Sequence, residues 1–404
     1  MVHPITIILM IAIAALALFL LRRQGLLRGT IPLMIGILFL IVAFAARLYV
    51  INVETLDYQH FLAVWVQHFR DHGGFVGLGV PVGNYNVVYL YFLALFSYIP
   101  MPDLHLIKLL SILFDVILAY YVMQLVGLTG QGKGRKTVAF FAILFLPTVF
   151  LNGAYWGQCD VIYTTFAVMS VYYALSHKPI RAMVFIALAL AFKLQAIFIF
   201  PLYLIFLCTG KIRWMHLPVF PLTYIAAILP AVFFGRPFWD TLLFYVSQAD
   251  TTGRGLVYNA PSVFAFAQTH HDSQLAMFGV IAAFVLIVLV YLLTLPPRRR
   301  KGLRNEDILV AALLFTVGVP LFLPQMHDRY FFMADVFAVV LGLSRLKFLP
   351  AILLTQFASL LGYHAYLRQA FLFPMRYGTV ALLILTAGLF LALWVRPKGR
   401  RILR

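Results

Sequence analysis

The strongest constraint in this sequence is a repeated one. Apolar runs close to twenty residues long recur from one end of the chain to the other. A run of that length, wound as a helix, crosses the hydrocarbon core of a bilayer. About thirteen such segments fit, at 4–21, 31–50, 105–127, 137–151, 159–176, 181–193, 194–208, 215–233, 275–294, 307–323, 330–345, 348–365 and 377–395. The expected fold is all-α, a polytopic membrane protein; a membrane β-barrel would need short alternating segments instead. Composition agrees, with 63% of residues hydrophobic and 11% charged, against about 25% charged in soluble domains. Residues 1–404 read as a single transmembrane unit without a separate soluble domain, 4–30 being an additional N-terminal helix and its inner loop.

A net charge of +18 would suit nucleic-acid binding, but its distribution argues against that. The basic residues cluster in short connections: Arg22, Arg23 and Arg28; Lys133, Arg135 and Lys136; Lys178 and Arg181; Lys211 and Arg213; Arg298, Arg299, Arg300, Lys301 and Arg304; Arg345 and Lys347; and the tail Arg396, Lys398, Arg400, Arg401 and Arg404. Threading alternate loops in this way is the positive-inside pattern and fixes the orientation. Most acids, among them Glu54, Asp57, Asp71, Asp103, Asp160, Asp240, Asp250, Asp272 and Asp328, then fall on the outer side. Residues 4–21 have the length of a signal peptide, but Arg22 and Arg23 follow rather than precede them, so a retained helix is expected. Cys159 and Cys208 fall at opposite ends of spans and are not expected to pair.

With that orientation, residues 51–104 form the first large outer loop. Tyr58–Arg70 reads as an amphipathic helix carrying Phe61, Trp65 and Phe69 on one face. Val87–Ile99 is apolar but short for a span. Both are expected to lie at the membrane surface, joined through Gly73-Gly74 and a Gly/Pro-rich run to Gly83. The short segments 181–193 and 194–208 meet at Phe192-Lys193-Leu194-Gln195 with no polar loop, which puts a lysine beside a wet cavity.

Four polar groups stand out. Asp57 either caps the helix it opens or acts as a general base facing a cavity; Glu54, three residues earlier, is a solvated or supporting acid. Gly153-Ala154-Tyr155-Trp156-Gly157-Gln158-Cys159-Asp160 has aromatics that an interface belt explains, whereas Gln158 and Asp160 entering an apolar helix favour function. Lys193 with Gln195 either snorkels or binds a phosphate. Pro324-Gln325-Met326-His327-Asp328-Arg329-Tyr330 brings a phosphate-binding set into a very short connection. Asn84, Tyr85 and Asn86 either meet sugar hydroxyls or form a turn. Arg236, Arg254, Arg368 and Arg376 are weaker phosphate candidates, and Asp115 and Asp335 are helix–helix partners. No Walker, GxSxG or HExxH motif and no metal-ligand spacing occurs.

Taken together, these residues resemble the GT-C membrane glycosyltransferases, and within them the bacterial mannosyltransferase-related integral membrane proteins. The resemblance is carried by Asp57-Tyr58, Gly83-Asn84-Tyr85-Asn86, Trp156-Gly157-Gln158-Cys159-Asp160, Lys193-Leu194-Gln195 and His327-Asp328-Arg329-Tyr330. It departs where relatives often have a proline pair (here Val87-Val88), Lys-Pro-Gln (here Leu194 in the middle) and a glutamate (here Asp328). The resemblance implies a polyprenyl-phosphate-linked sugar as donor and Asp57 as the base. The expected reaction is inverting hexosyl transfer, with mannosyl transfer one form of it. The acceptor hydroxyl belongs to a glycan, glycolipid or protein at the outer face of the plasma membrane.

In that reading Asp160 assists the base or the acceptor, and Lys193, His327 and Arg329 hold the phosphate. Glu54, Tyr58, Asn84, Tyr85, Asn86, Gln158, Gln195 and Asp328 meet sugar or acceptor. Membrane lipid is a partner, nucleic acid is not, and neither cofactor nor metal is expected. The rival readings are a transporter or flippase of a lipid-linked saccharide, which the broken segment at Lys193 would suit, and a ligase or polymerase using a diphosphate-linked donor.

Overall fold

The computed structural model describes residues 2–249, 255–267, 272–296, 300 and 302–395. Of the charged residues placed from sequence, Asp250, Arg254, Arg298, Arg299, Lys301, Arg396, Lys398, Arg400, Arg401 and Arg404 lie outside the described residues. In chain order the helices are α1 (Pro4–Arg23), α2 (Thr30–Tyr49), α3 (Ala63–Asp71), α4 (Val87–Phe96), α5 (Asp103–Gly127), α6 (Lys133–Leu144), α7 (Pro147–Val149), α8 (Asp160–Leu175), α9 (Pro179–Phe192) and α10 (Leu202–Cys208). After them come α11 (Val219–Phe233), α12 (Phe238–Leu242), α13 (Phe244–Ala249), α14 (Ser273–Thr294), α15 (Asn305–Phe322), α16 (Phe332–Ser344), α17 (Leu349–Arg368) and α18 (Arg376–Trp394).

The chain is an all-α polytopic membrane protein. Among the described residues eight helices are long and apolar enough to cross a membrane, or nine if Lys133–Leu144 and Pro147–Trp156 form one bent span. The bend falls at Pro147, which cannot continue the hydrogen-bond ladder. The other expected segments are shorter apolar helices, Asp160–Leu175, Pro179–Phe192, Leu194–Cys208 and Phe332–Ser344. α1, α2 and α14 leave most of their apolar side chains exposed, whereas α15 and α16 are almost wholly buried. Lipid-facing and core helices can therefore be told apart by burial, although their sequences are similarly greasy.

The polar connections sort into two groups at the ends of α5. At its C-terminal end, Asn305 Nδ2 donates to the Leu128 carbonyl (3.2 Å), Gln131 Nε2 to the Ser344 carbonyl (3.0 Å), and Arg345 pairs with Glu306. These are the connections expected to share the inner side. At the other end, Lys108 donates to the carbonyls of Val50 (2.9 Å) and Val53 (2.7 Å), and Arg70 pairs with Asp103. A helix of 25 residues separates the two groups by roughly 37 Å.

Two features depart from the sequence reading. α4 does not offer an apolar face to a membrane surface: Val87, Val88, Tyr89, Leu90, Leu93, Ala94 and Phe96 are all buried in protein. In the amphipathic segment, Trp65 and Phe69 are buried but Phe61 is 47% exposed. A turn of π-helix, Tyr58–Leu62, precedes α3 and rotates the face away from a regular 3.6-residue spacing. The structure also contains a two-stranded parallel pairing, β1 (Val257–Tyr258) with β2 (Met326–His327). It was invisible in an apolar chain because each strand has only two residues.

Deep in the bundle the fully buried Arg47 donates to Asp115 Oδ2 (3.0 Å), the Ala43 carbonyl (3.1 Å) and the Leu144 carbonyl (2.9 Å). Asp335 receives Ser359 Oγ at 3.1 Å. Both acids are thus the helix–helix partners expected, and both cysteines are free. Arg47→Met should cost about 3–5 kcal/mol by stranding a buried carboxylate. The double variant with Asp115→Leu should recover most of that loss, as read from unfolding in detergent.

Candidate functional site

Lys108 and Thr55 anchor the chain leaving α2: the Thr55 hydroxyl donates to the Trp156 carbonyl at 3.0 Å. Facing it, residues 150–156 form a second turn of π-helix, which ends at Gly157 with φ of +81°. That left-handed turn suits glycine, and it reverses the chain so that Trp156 and Gln158 point at the same atom. Ser111 fixes the turn by donating to the Gln158 carbonyl at 2.7 Å.

The shared target is Asp57. Its Oδ2 accepts from Trp156 Nε1 (2.9 Å), Gln158 Nε2 (2.5 Å) and Arg329 Nη1 (3.5 Å). Its Oδ1 accepts from the Tyr366 hydroxyl. The carboxylate does not cap the following helix, since no backbone N–H donates to its side chain. The donors that satisfy it come from three other parts of the chain instead. Trp156 is fully buried, so the interface-belt reading fails for it. Tyr366 stacks on its ring (centroids 4.6 Å apart, 18° between planes) and the Arg329 guanidinium lies over it at 5.3 Å.

Arg329 joins this carboxylate to a second one. Its Nε lies 3.4 Å from Asp160 Oδ2. Asp160 receives Lys193 Nζ at 2.5 Å and Asn152 Nδ2 at 2.8 Å, and Asn152 also donates to the Tyr363 hydroxyl at 3.1 Å. Lys193 and Asp160 are both buried and form a close ion pair. Asp160 is thus the counter-ion of Lys193 and Arg329. A cavity of about 180 Å³ opens beside these cations, lined by Asn84, Tyr85, Gln195, Tyr245, His327 and Tyr330 among others. Lys193 lies 5.1 Å from the Tyr85 ring, and the Tyr85 hydroxyl donates to Gln158 Oε1 at 2.9 Å. Gln195 is buried, and among the described residues its amide oxygen has no hydrogen-bond partner. A ligand hydroxyl would satisfy it. Asp57 is not in the cavity wall; it stands behind Arg329 and Gln158, on the Tyr366 side.

The connection bearing His327, Asp328 and Arg329 is held by β1. Gln325 N donates to the Leu256 carbonyl at 2.7 Å, and Tyr258 stacks on His327 at 4.6 Å. Burial, reinforced by Arg329 and Lys193, pushes the His327 pKa down to about 4. At neutral pH its imidazole is uncharged and can offer one N–H. Burial pushes Asp328 up to about 7 against the pull of Arg329.

The remaining expected residues fall outside this set. Glu54 is exposed and accepts from Gln59. Tyr58 turns towards Asp103 and the Leu104 backbone. Asn86, by contrast, lines the cavity; it also caps α4, its Oδ1 accepting Val87 N–H at 2.7 Å while its Nδ2 donates to Tyr224. Arg236 is buried near Tyr91, and Arg368 and Arg376 are exposed. Asn152, Tyr363 and Tyr366 were not singled out from sequence. Asn152 left a faint signal as an amide in an apolar run; the tyrosines left none among 21 of their kind. Among the described residues no three His, Cys, Asp or Glu side chains form a metal-ligand set.

The fold and this cluster define a multi-pass membrane protein with a buried acid–cation site built from the ends of its helices. The family model of glycosyltransferase family 87 matches residues 84–324. The chain belongs to that family and is a membrane glycosyltransferase. The matched region contains Tyr85, Gln158, Asp160, Lys193 and Gln195, while Asp57, His327, Asp328, Arg329 and Tyr366 lie beyond its ends. No curated protein matches the chain.

Because the folded-state pKa of Asp328 is raised to about 7 from an ordinary value near 4, its contribution to stability is fully present below about pH 4. It is lost as pH rises through about 7. Asp328→Asn should flatten the dependence of the unfolding midpoint on pH between about 4 and 8, matching the parent at the acid end and exceeding it at the alkaline end.

Proposed function

We propose that this protein is an inverting glycosyltransferase that moves a monosaccharide from a polyprenyl-phosphate donor to an acceptor hydroxyl, at the extracytoplasmic face of the membrane. The observation that carries this reading is the division of charge at Arg329. On one side lies a small cavity with two cations; on the other lies a carboxylate held by three side-chain N–H donors. Phosphate and sugar fit the first, and an acceptor hydroxyl fits the second.

In this reaction Asp57 Oδ1 takes the proton of the acceptor hydroxyl. The acceptor oxygen bonds to the anomeric carbon as the bond from that carbon to the phosphate oxygen breaks, through a transition state with oxocarbenium character. The bonding pair leaves with the phosphate, whose growing charge Arg329 and Lys193 offset. The neutral His327 adds one N–H. The Gln195 carbonyl accepts from a sugar hydroxyl. These groups give the protein's side chains a task at each reacting atom.

The charge balance supports a single phosphate. Lys193 and Arg329 are matched by Asp57 and Asp160, and Asp328 adds a negative charge only as it ionises near pH 7. A phosphodiester donor brings one negative charge; a diphosphate brings more than this near-neutral site readily offsets. The same balance weighs against the diphosphate-using ligase. The one-sided cluster, away from the middle of the bundle, gives the transporter reading nothing specific to rest on. GT-C membership and a mannosyl group as cargo agree with the resemblance seen in the sequence.

The test is transfer from a polyprenyl-phosphate-hexose by protein in lipid nanodiscs. Asp57→Asn should lower turnover by about a thousandfold, in the range of lost general-base catalysis, while donor binding persists. Lys193→Met should weaken donor binding at least tenfold. Full turnover by Asp57→Asn would remove Asp57 from the role, and transport of intact donor without release of polyprenyl phosphate would replace the enzyme reading with a flippase.

A further inference from the structure

The two oxygens of Asp57 are not equivalent. Oδ2 is enclosed by Trp156, Gln158 and Arg329. Three donors exceed the two lone pairs of a carboxylate oxygen, so Oδ2 has none to spare for a substrate. Oδ1 has one donor, the Tyr366 hydroxyl, and keeps a second lone pair. Tyr366 is half-buried in the last turn of α17, where the helix ends at Gln369 with φ of +52°. The loop that follows carries the exposed Phe371, Leu372 and Phe373. On Oδ2, Trp156 and Gln158 are buried and Arg329 lines the cavity, whereas Tyr366 on Oδ1 sits in the half-buried last turn that leads into the exposed loop.

We infer that Tyr366 is the positioning residue for the acceptor. Its hydroxyl occupies one lone pair of Oδ1 and directs the acceptor hydroxyl to the other, at a site facing the exposed loop after α17. This inference rests on Asp57 being the base. The Tyr366 phenol keeps its proton throughout; the acceptor's proton goes to Asp57 Oδ1. The ring stack on Trp156 fixes where the phenol stands, because Trp156 is itself tied to Asp57 Oδ2. Displacement of the acceptor by about 1 Å is enough to cost two orders of magnitude in such a reaction.

Tyr366→Phe separates the hydroxyl from the ring, since phenylalanine keeps the stack on Trp156. With polyprenyl-phosphate-hexose as donor, Tyr366→Phe should lower acceptor-dependent kcat by about tenfold or more. Donor KM and the unfolding midpoint should stay within twofold and about 2 °C of the parent. The ratio of donor hydrolysis by water to transfer should rise, because water needs less orientation than an acceptor. Tyr366→Leu, which removes the stack as well, should lose transfer further. Parent-like kcat and hydrolysis ratio in Tyr366→Phe would overturn the inference, and so would a fall in rate matched by an equal loss of folded protein. If Asp57→Asn is inactive while Tyr366→Phe is parent-like, the base reading stands and only the positioning role falls. If Asp57→Asn is fully active, the base reading fails and takes this inference with it.

Discussion

A carboxylate placed among greasy helices must be given donors or lose its charge. Asp57 is given four, from Trp156, Gln158, Arg329 and Tyr366. Much of the surrounding architecture serves that one requirement. Lys108 and Thr55 hold the strand of chain that carries Asp57; Ser111 and the left-handed Gly157 hold the turn that aims Trp156 and Gln158. The short β1–β2 pairing holds the connection that aims Arg329. The second carboxylate, Asp160, repeats the pattern with Lys193, Asn152 and Arg329. Arg329 belongs to both sets and so couples them.

The fold class was legible because hydrocarbon thickness imposes a length on every apolar run. The outcome for the site was uneven, for physical reasons. Asp57, Asp160, Lys193 and Arg329 stood out because a charge in an apolar chain is conspicuous wherever it occurs, and they do come together. For Trp156 the interface-belt alternative could not be dismissed from the residues, since indoles serve both tasks and only the π-helical turn decides which way the ring faces. The capping role for Asp57 failed for a related reason: the helix after it begins with a wide π turn, which no residue pattern announces. Tyr366 could not be found at all, because its partner lies 309 residues away and tyrosine is common in this chain.

The glycosyltransferase family match and the geometry describe different parts of one site. The matched region supplies much of the cavity wall, with Tyr85, Lys193 and Gln195, while His327, Arg329 and Tyr330 of the same wall lie beyond it. Asp57, Arg329 and Tyr366 lie outside the match, although Trp156 and Gln158, which donate to Asp57, lie inside it. His327 stacks on Tyr258 between the cavity and the β1 segment, and burial together with Arg329 and Lys193 disfavours its charged form.

The bond between Asp57 and Tyr366 also has a bearing on biogenesis. The carboxylate follows α2 in the chain, but its Tyr366 donor lies 309 residues further on, in α17. Until that helix has left the insertion machinery and packed, Asp57 has no phenol beside it. A nascent chain stalled before α17 lacks this donor, so the hydrogen-bond set of Asp57 closes only after α17 has been made.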